Sequence, residues 1–384
     1  MKPIRIFTQS IEFLAEISNY ESLMLTRSWH GIGDLELRIN RHKLYTDTLR
    51  KGHVIVVGND ARKAYVIQHR EIALDETGKQ SENWLIRAQE LKVSIAWRQI
   101  LPPLNAAQDS RSGSAETVMK HYVNRTVINP DDPLRKVSEI ALAPDQLRGT
   151  HVVWDSRLKT LADDLTEISQ LTGVGWLMRL DTDTRKRVFD VALGRNLSVN
   201  QAENSPVIFS PQFDNIRNMQ YVDSDLNFRN VAYVAGQGEG VDRRIIVVGN
   251  ASGLDRREIY VDARDVAEET DEETPKPRPE ADIIADLVRR GEQKLAELAQ
   301  ESFLGAQIMT DGTFKYEVDY DLGDIVTVQN TDWGVALDAR ITEVKEIYER
   351  DSGAQIEVTF GNSRPTLVTK IKRELAGFTA ELTR

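Results

Sequence analysis

Polar and apolar residues alternate through Asp34-Leu35-Glu36-Leu37-Arg38-Ile39, so a strand here buries one face and wets the other. Gly52 leads a short apolar strand, Val54-Ile55-Val56-Val57, and Gly58-Asn59-Asp60 reads as the turn that ends it. Further strands are predicted over 64–73 and 84–88, with a turn at 75–78 between them. A short helix is predicted over 90–98, and Pro102-Pro103 closes this β-rich block.

The pattern then changes period. Ser114 is a plausible N-cap for a helix to about 127, with Ala115, Val118, Met119, Tyr122 and Val123 on one stripe. A second helix is predicted over 157–172. Its stripe is Leu158, Leu161, Leu165, Ile168 and Leu171, and Gly173 suits the C′ position. Residues 174–180 and 187–193 read as two strands joined by the polar turn 181–186. Helix followed by hairpin makes a small α+β region.

Strand signals return at 218–222, 230–235 and 243–248. The interrupting segment 265–282 carries eight acids against two bases, a net of −6, with Pro275, Pro277 and Pro279. Such a composition reads as a solvated loop. A long helix is predicted from Pro279-Glu280 to about 302, with Ile284, Leu287, Val288, Leu295 and Leu298 as its stripe. Residues 313–320 then alternate, with Phe314, Tyr316, Val318 and Tyr320 facing one way.

The two β-rich blocks resemble each other. Gly52-His53-Val54-Ile55-Val56-Val57-Gly58-Asn59 can be laid on Gly323-Asp324-Ile325-Val326-Thr327-Val328-Gln329-Asn330. A second strand follows in each, 65–72 or 339–347, ending on the pairs Glu71-Ile72 and Glu346-Ile347. A turn glycine comes next, Gly78 or Gly353, and then a third strand, 84–88 or 355–360. The expected fold class is mixed α+β and β-rich. It has two related small antiparallel β-barrel-like domains, an intervening α+β domain, and a long helix inserted in the second β block. The expected boundaries are 1–103 and 104–204, then 205–264 with 303–363 for the second β domain. Residues 265–302 hold the acidic loop and helix, and 364–384 form a C-terminal tail.

Composition removes several kinds of chemistry. The 384 residues contain no cysteine, which excludes disulfides, thiolate metal sites and cysteine nucleophiles. The net charge of −11 argues against a general nucleic-acid binder. More than half of that charge lies in 265–282, so the remaining body is only mildly acidic. No apolar run approaches the ~20 residues of a membrane helix, and Met1–Thr26 has no signal-peptide core. This predicts a protein made and folded in a cytoplasm, without membrane anchoring.

Several stretches resemble a known group. They are Gly33-Asp34-Leu35-Glu36-Leu37-Arg38-Ile39, Leu49-Arg50-Lys51-Gly52-His53-Val54-Ile55-Val56 and Trp97-Arg98-Gln99-Ile100-Leu101-Pro102-Pro103. In the second half they are Val231-Ala232-Tyr233-Val234-Ala235-Gly236-Gln237-Gly238-Glu239-Gly240, Tyr320-Asp321-Leu322-Gly323-Asp324-Ile325-Val326-Thr327-Val328 and Ile356-Glu357-Val358-Thr359-Phe360-Gly361. Together they look like siphophage tail-tip or baseplate hub proteins. The resemblance implies a virion tail protein, built as a homotrimer with two similar barrels per subunit in a pseudo-sixfold ring. It implies a distal tail or tube protein above, a spike or fibre below, and DNA passing through the lumen without specific binding. Larger relatives carry hydrolase or receptor-binding extensions, for which the sequence after the last strand leaves no room.

No catalytic, metal or cofactor site is expected. His30, His42, His53, His69, His121 and His151 lack the spacing of a helical zinc pair, and residues 152–384 hold no histidine. His53 and His69 read as half-exposed strand residues. Gly236-x-Gly238-x-Gly240 precedes a strand, not a helix, so it reads as a hairpin tip and not as a phosphate loop. Asp163, Asp164 and Glu167 read as the solvated side of their helix, and Trp154 and Trp176 as core plugs. The acidic segment lacks the spacing of a calcium loop. The rival functions are a tail-associated peptidoglycan hydrolase and a carbohydrate receptor-binding protein.

Overall fold

A computed structural model describes residues 1–73, 82–104, 106, 108–269, 276–309, 312–350 and 353–361. The expected turn at 75–78, with Gly78, and the C-terminal tail 364–384 lie outside the described residues.

Seven strands form early in the chain: β1 (Ile4–Phe7), β2 (Phe13–Ile17), β3 (Ser22–Ser28), β4 (Asp34–Asn40), β5 (Val54–Val57), β6 (Ala64–Glu71) and β7 (Asn83–Glu90). They order as β3-β4-β7-β6-β5-β1-β2, every pair antiparallel. The alternation in β4 works as predicted: Leu35, Leu37 and Ile39 are buried. Within 90–98 the helix is one turn, α1 (Val93–Ala96).

The middle of the chain packs α2 (Ala115–Val123) and α3 (Leu161–Thr172) with short sheets. One pairs β8 (Asp109–Ser114) with β10 (His151–Ser156). The other contains β9 (Ile140–Leu142), β11 (Gly175–Asp181) and β12 (Lys186–Ala192). Ser114 caps α2, its Oγ accepting from the Thr117 N–H at 3.2 Å, and a π-helical turn, Asn124–Ile128, continues it. Thr160 caps α3, which starts later than predicted. Leu158 stands before it in the left-handed region, at φ 53, and both Leu158 and Leu171 are exposed. Leu161, Leu165 and Ile168 carry the buried stripe, and Trp154 and Trp176 are buried in the same core.

The last part contains β13 (Asn196–Leu197), β14 (Ile208–Phe209), β15 (Ile216–Ser224), β16 (Val231–Ala235), β17 (Ile245–Val248) and β18 (Glu258–Asp262). These are followed by α4 (Glu280–Glu297), β19 (Glu301–Ile308), β20 (Ile325–Asn330), β21 (Val335–Glu349) and β22 (Gly353–Gly361). Strands β17-β16-β18 form a separate small sheet, with Ile283 and Leu287 of α4 packed on Ala232 and Val234. Three expectations fail here. The long helix ends at Glu297 and a strand begins at Glu301, short of the predicted 302. The inward stripe of α4 is Ile283, Leu287 and Gly291, while Ile284 is 38% exposed. Residues 313–320 form no strand: Tyr316 and Tyr320 bridge each other across a turn that exposes Val318 and buries Tyr320.

Two units therefore repeat one strand order, β3-β4-β7-β6-β5 and β15-β19-β22-β21-β20. The match extends to single hydrogen bonds. The Gly52 N–H donates to the Ile67 carbonyl, and the Ile67 N–H to the His53 carbonyl. The Gly323 N–H donates to the Ile341 carbonyl, and the Ile341 N–H to the Asp324 carbonyl. A bulge follows at Gln68 in β6 and at Thr342 in β21. Ile67 thus corresponds to Ile341, and Ile72 to Glu346. The sequence matching of Glu71-Ile72 with Glu346-Ile347 is one residue out of register, and a one-residue slip exchanges the two faces of a strand.

Neither unit is a closed barrel, contrary to expectation. The reason lies in β21, whose first part pairs with β20 while Glu343–Glu349 lies between β22 and β3. The two units share strand pairing edge to edge, so each sheet runs on into its neighbour and does not close on itself.

Candidate functional site

The seam between the units buries several charges, among them Arg27, Lys63 and Glu346. Lys63, at the start of β6, is fully buried. Its ammonium lies 2.5 Å from Glu317 and also contacts Glu346, whose side chain is fully buried on β21. Lys2 reaches the same two carboxylates at 3.4 and 3.5 Å, and Tyr348 donates to Glu346 at 2.5 Å. Burial pulls the Lys63 ammonium below its ordinary value. Burial alone would raise Glu346, but Lys63 holds that carboxylate below its usual range. Charge buried this deeply is tolerated because each ion has partners from the other unit.

A second network extends the seam. Arg27 of β3 donates to Tyr316 at 2.8 Å and to Asp321 at 2.9 Å, and Arg62 joins Asp321 to Asp60. Beside it, Trp29 is held between all three parts of the chain. Its N–H donates to the Thr342 carbonyl at 2.9 Å and its indole N–H to the Gly173 carbonyl at 3.0 Å. Gly175 and Gly323 flank the ring so closely that a Cβ on Gly323 would lie 2.0 Å from it. His30, next in sequence, is buried against the Ser169 hydroxyl at 2.6 Å. Burial, then the nearby Arg340 and Lys92, push its imidazole down to about 3.

A cavity of about 380 Å³ opens at this junction, lined among others by Arg27, Trp29, Lys92, Trp176 and Asp324. Its cations are already occupied. Lys92 donates to the Ser28 and Gly31 carbonyls, and Arg195 pairs with Asp324. The arrangement locks backbones together, and the Ser169 hydroxyl beside His30 also donates to the Val174 carbonyl at 2.5 Å.

The other candidates are scattered. His53 bonds the Thr48 carbonyl at 2.7 Å, His69 pairs with Glu71 at 3.1 Å, His121 meets Asp109 at 2.8 Å, and His151 meets Ser112 at 3.1 Å. Among the described residues no cluster of three or more His, Asp and Glu could hold a metal ion. Gly236, Gly238 and Gly240 lie in the β16–β17 hairpin connection, where a Cβ on Gly238 would meet the Asp242 carbonyl at 2.8 Å. The described ends of the acidic segment are tied down: Glu268 and Glu280 pair with Arg244, and Asp265 with Arg290. Asp164 contradicts its reading as a solvated residue, being 1% exposed. Glu167 is largely buried near Lys159, and burial pushes its carboxyl up to about 7. Glu167 faces α4, where solvent was expected, and Asp164 is buried with Lys159 at 3.4 Å.

Sequence reasoning missed Lys63, Glu346 and Trp29. One signal was present: Val344, Glu346 and Tyr348 share a strand face, so a carboxylate stands at an inward position. Its partner lies far away in the chain, and no local pattern reveals it.

The sequence matches the family described as Siphovirus ReqiPepy6 Gp37-like protein over residues 3–362. No curated protein matches it. Solved structures share its fold. A tail protein from Neisseria meningitidis MC58 superposes with a TM-score of 0.54 at 14% identity, over 94% of this chain and 97% of that one. The 43 kDa tail protein of prophage MuSo2 from Shewanella oneidensis gives 0.53 at 12% identity, over 93% and 97%. The prophage tail protein gp18 from Listeria monocytogenes gives 0.50 at 13% identity, over 98% and 99%. Among the described residues no helix is long and apolar enough to cross a membrane. By the family match over nearly its whole length, the chain belongs to the Siphovirus ReqiPepy6 Gp37-like proteins, a family of phage tail proteins.

Proposed function

We propose that the chain is a structural, non-enzymatic tail-tip hub subunit of a phage or prophage virion. Three copies form a ring, and each contributes its two like units, so that threefold symmetry imitates sixfold. The ring joins a sixfold tail tube above to a threefold spike or fibre below, and DNA passes through its lumen. The observation that carries this reading is the edge-to-edge union of two units with the same strand order and the same bulge. A closed ring of three needs heterologous contacts, in which one edge of each copy meets a different, complementary edge of the next.

The wet face of the joined sheet supports the lumen. It carries Asp34, Glu36, Glu71, Glu343, Glu349 and Glu357 against Arg38, Arg87, Lys345 and Arg217. Several of these pair with one another, as Arg38 and Arg87 do with Glu36. A slightly acidic surface with Arg38, Arg87 and Lys345 engaged by carboxylates offers little grip to phosphates and lets a duplex slide past.

Mass measurement in solution with electron microscopy tests the proposal. A trimer at micromolar concentration, seen end-on as a ring, is expected. A monomer at every concentration, with no ring in any assembly with tail proteins, overturns it.

A further inference from the structure

The two units meet once within the chain, through β3 and β21. Repetition of strand order implies a second edge pair of the same kind. The row Leu25-Leu35-Ala88-Ile67 crosses β3, β4, β7 and β6, and the row Tyr221-Leu304-Phe360-Ile341 crosses β15, β19, β22 and β21. Strand β15 is therefore the counterpart of β3, and the end of β6 beyond its bulge is the counterpart of the β21 segment that pairs with β3. Among the described residues β15 has β19 as its single strand neighbour. Beyond Ile67, β6 pairs with β7 alone among the described residues. One chain thus ends in two edges that match the two halves of its own seam.

We propose that residues His69–Ala73 of one copy pair antiparallel with Gln220–Ser224 of a second copy, repeating the β21–β3 seam between chains. The inference rests on the ring reading above and names the contact that closes the ring. The internal seam sets the register. Glu343 faces Ser28, Val344 faces Arg27 and Glu346 faces Leu25. By the matched rows, His69 then faces Ser224, Arg70 faces Asp223 and Ile72 faces Tyr221.

Two features fit this register independently of the strand order. Arg70 and Asp223 bring opposite charges together across the new pair. The second feature concerns the buried ions of the internal seam. Lys63 corresponds to Leu337, since they lie opposite Val57 and Val328, which are equivalent strand residues, and Glu346 corresponds to Ile72. The junction between copies would therefore set Ile72 of one copy near Leu337 of the next. Both members of the ion pair become apolar together, which keeps the junction free of an unpaired buried charge. The contact is heterologous, one edge of each copy meeting the other edge of the next, so it propagates around a closed ring.

The absence of native cysteine makes the test direct. Residues opposite one another on paired strands have Cβ atoms about 4.5–5.5 Å apart, within reach of a disulfide. The full chain carrying His69→Cys and Ser224→Cys is oxidised and run on denaturing gels. Linked dimers and trimers are expected, with no larger species. Either single variant alone is expected to stay unlinked, while a mixture of the two gives dimers only. A control with His69→Cys and Tyr221→Cys sits three residues out of register, roughly 10 Å at strand rise, and is expected to stay unlinked. Trimers by mass without any 69–224 link overturn the strand pairing and leave the ring reading standing. A chain that is monomeric and unlinked overturns both. As a second readout, Arg70→Glu is expected to weaken self-association about tenfold, and Asp223→Arg in the same chain to restore it, with circular dichroism unchanged. Failure of the double variant to regain association counts against the register.

Discussion

The two units share a backbone plan but differ in what fills it. In the first, the row through the core is Leu25, Leu35, Ala88 and Ile67. In the second it is Tyr221, Leu304, Phe360 and Ile341, and Phe360, Phe314 and Tyr320 gather around Phe209. A small residue at one position is replaced by a large aromatic, and neighbouring side chains repack, while the glycine-led hydrogen bonds and the bulge stay in place. Backbone geometry is what the two units share, while side-chain volume along the row is not kept and the surroundings differ to fit it. The units differ also in connection. Strands β3 and β4 are joined by a few residues around Trp29, whereas residues 225–300 intervene between β15 and β19.

The sharpest difference is the seam charge, and breaking it should have the largest effect. Lys63→Met leaves Glu346 buried without its main partner and should cost about 3–5 kcal/mol in urea unfolding. The same chain with Glu346→Leu should recover most of the loss, approaching the apolar arrangement of Leu337 and Ile72. If both single variants and the double variant unfold alike, the charges do not fix the seam.

The matched glycines give the next comparison. Gly52 and Gly323 have φ of 86° and 93°, so alanine strains both, by about 1–2 kcal/mol. Only Gly323 touches Trp29, while a Cβ on Gly52 meets nothing closer than 3.7 Å. Gly323→Ala should therefore cost about 3–4 kcal/mol in total, since overpacking adds to strain. In a Trp29→Ala background its cost should fall to that of Gly52→Ala. Equal costs in the native background would remove Trp29 as a wedge.

A smaller effect concerns His30, which the first unit contributes and the second does not. Burial first, and then Arg340 and Lys92, depress its value from 6.5 to about 3. Between those values the unfolded chain binds a proton that the folded chain refuses. The stability is whole above pH 6.5 and lost progressively as pH falls toward 3, by about 2 kcal/mol at pH 5. Comparing unfolding midpoints at pH 7.5 and pH 5 measures it. His30→Gln, which keeps a partner for Ser169, should flatten the difference.

Much of the repeat was legible in sequence. The strands at 34–39 and 54–57, and the helix caps Ser114 and Gly173, follow from alternation and from local chemistry. The one-residue error at Glu71-Ile72 arose because the matching followed an identical Glu-Ile pair, whereas the backbone register, fixed by Ile67 and Ile341 and by a bulge common to both units, places Ile72 opposite Glu346 in the comparison. The reading of 313–320 failed because alternation cannot separate a strand from an aromatic turn packed on a core. Asp164 was misread because a helix shows which face is polar but not what leans on it. The ion pairs of the seam were illegible because Lys63 and Glu346 meet only after the two units join.

The segment between β15 and β19 leaves and returns at neighbouring backbone positions, since Ser224 pairs with Glu301. Tension along the joined sheet can cross from one to the other through their hydrogen bonds and bypass everything between. The inserted module also leans on the middle of the chain through Arg289 and Asp155, 3.0 Å apart. It is thus a side branch with its own small core, and exchanging it for another need not disturb the joined sheet.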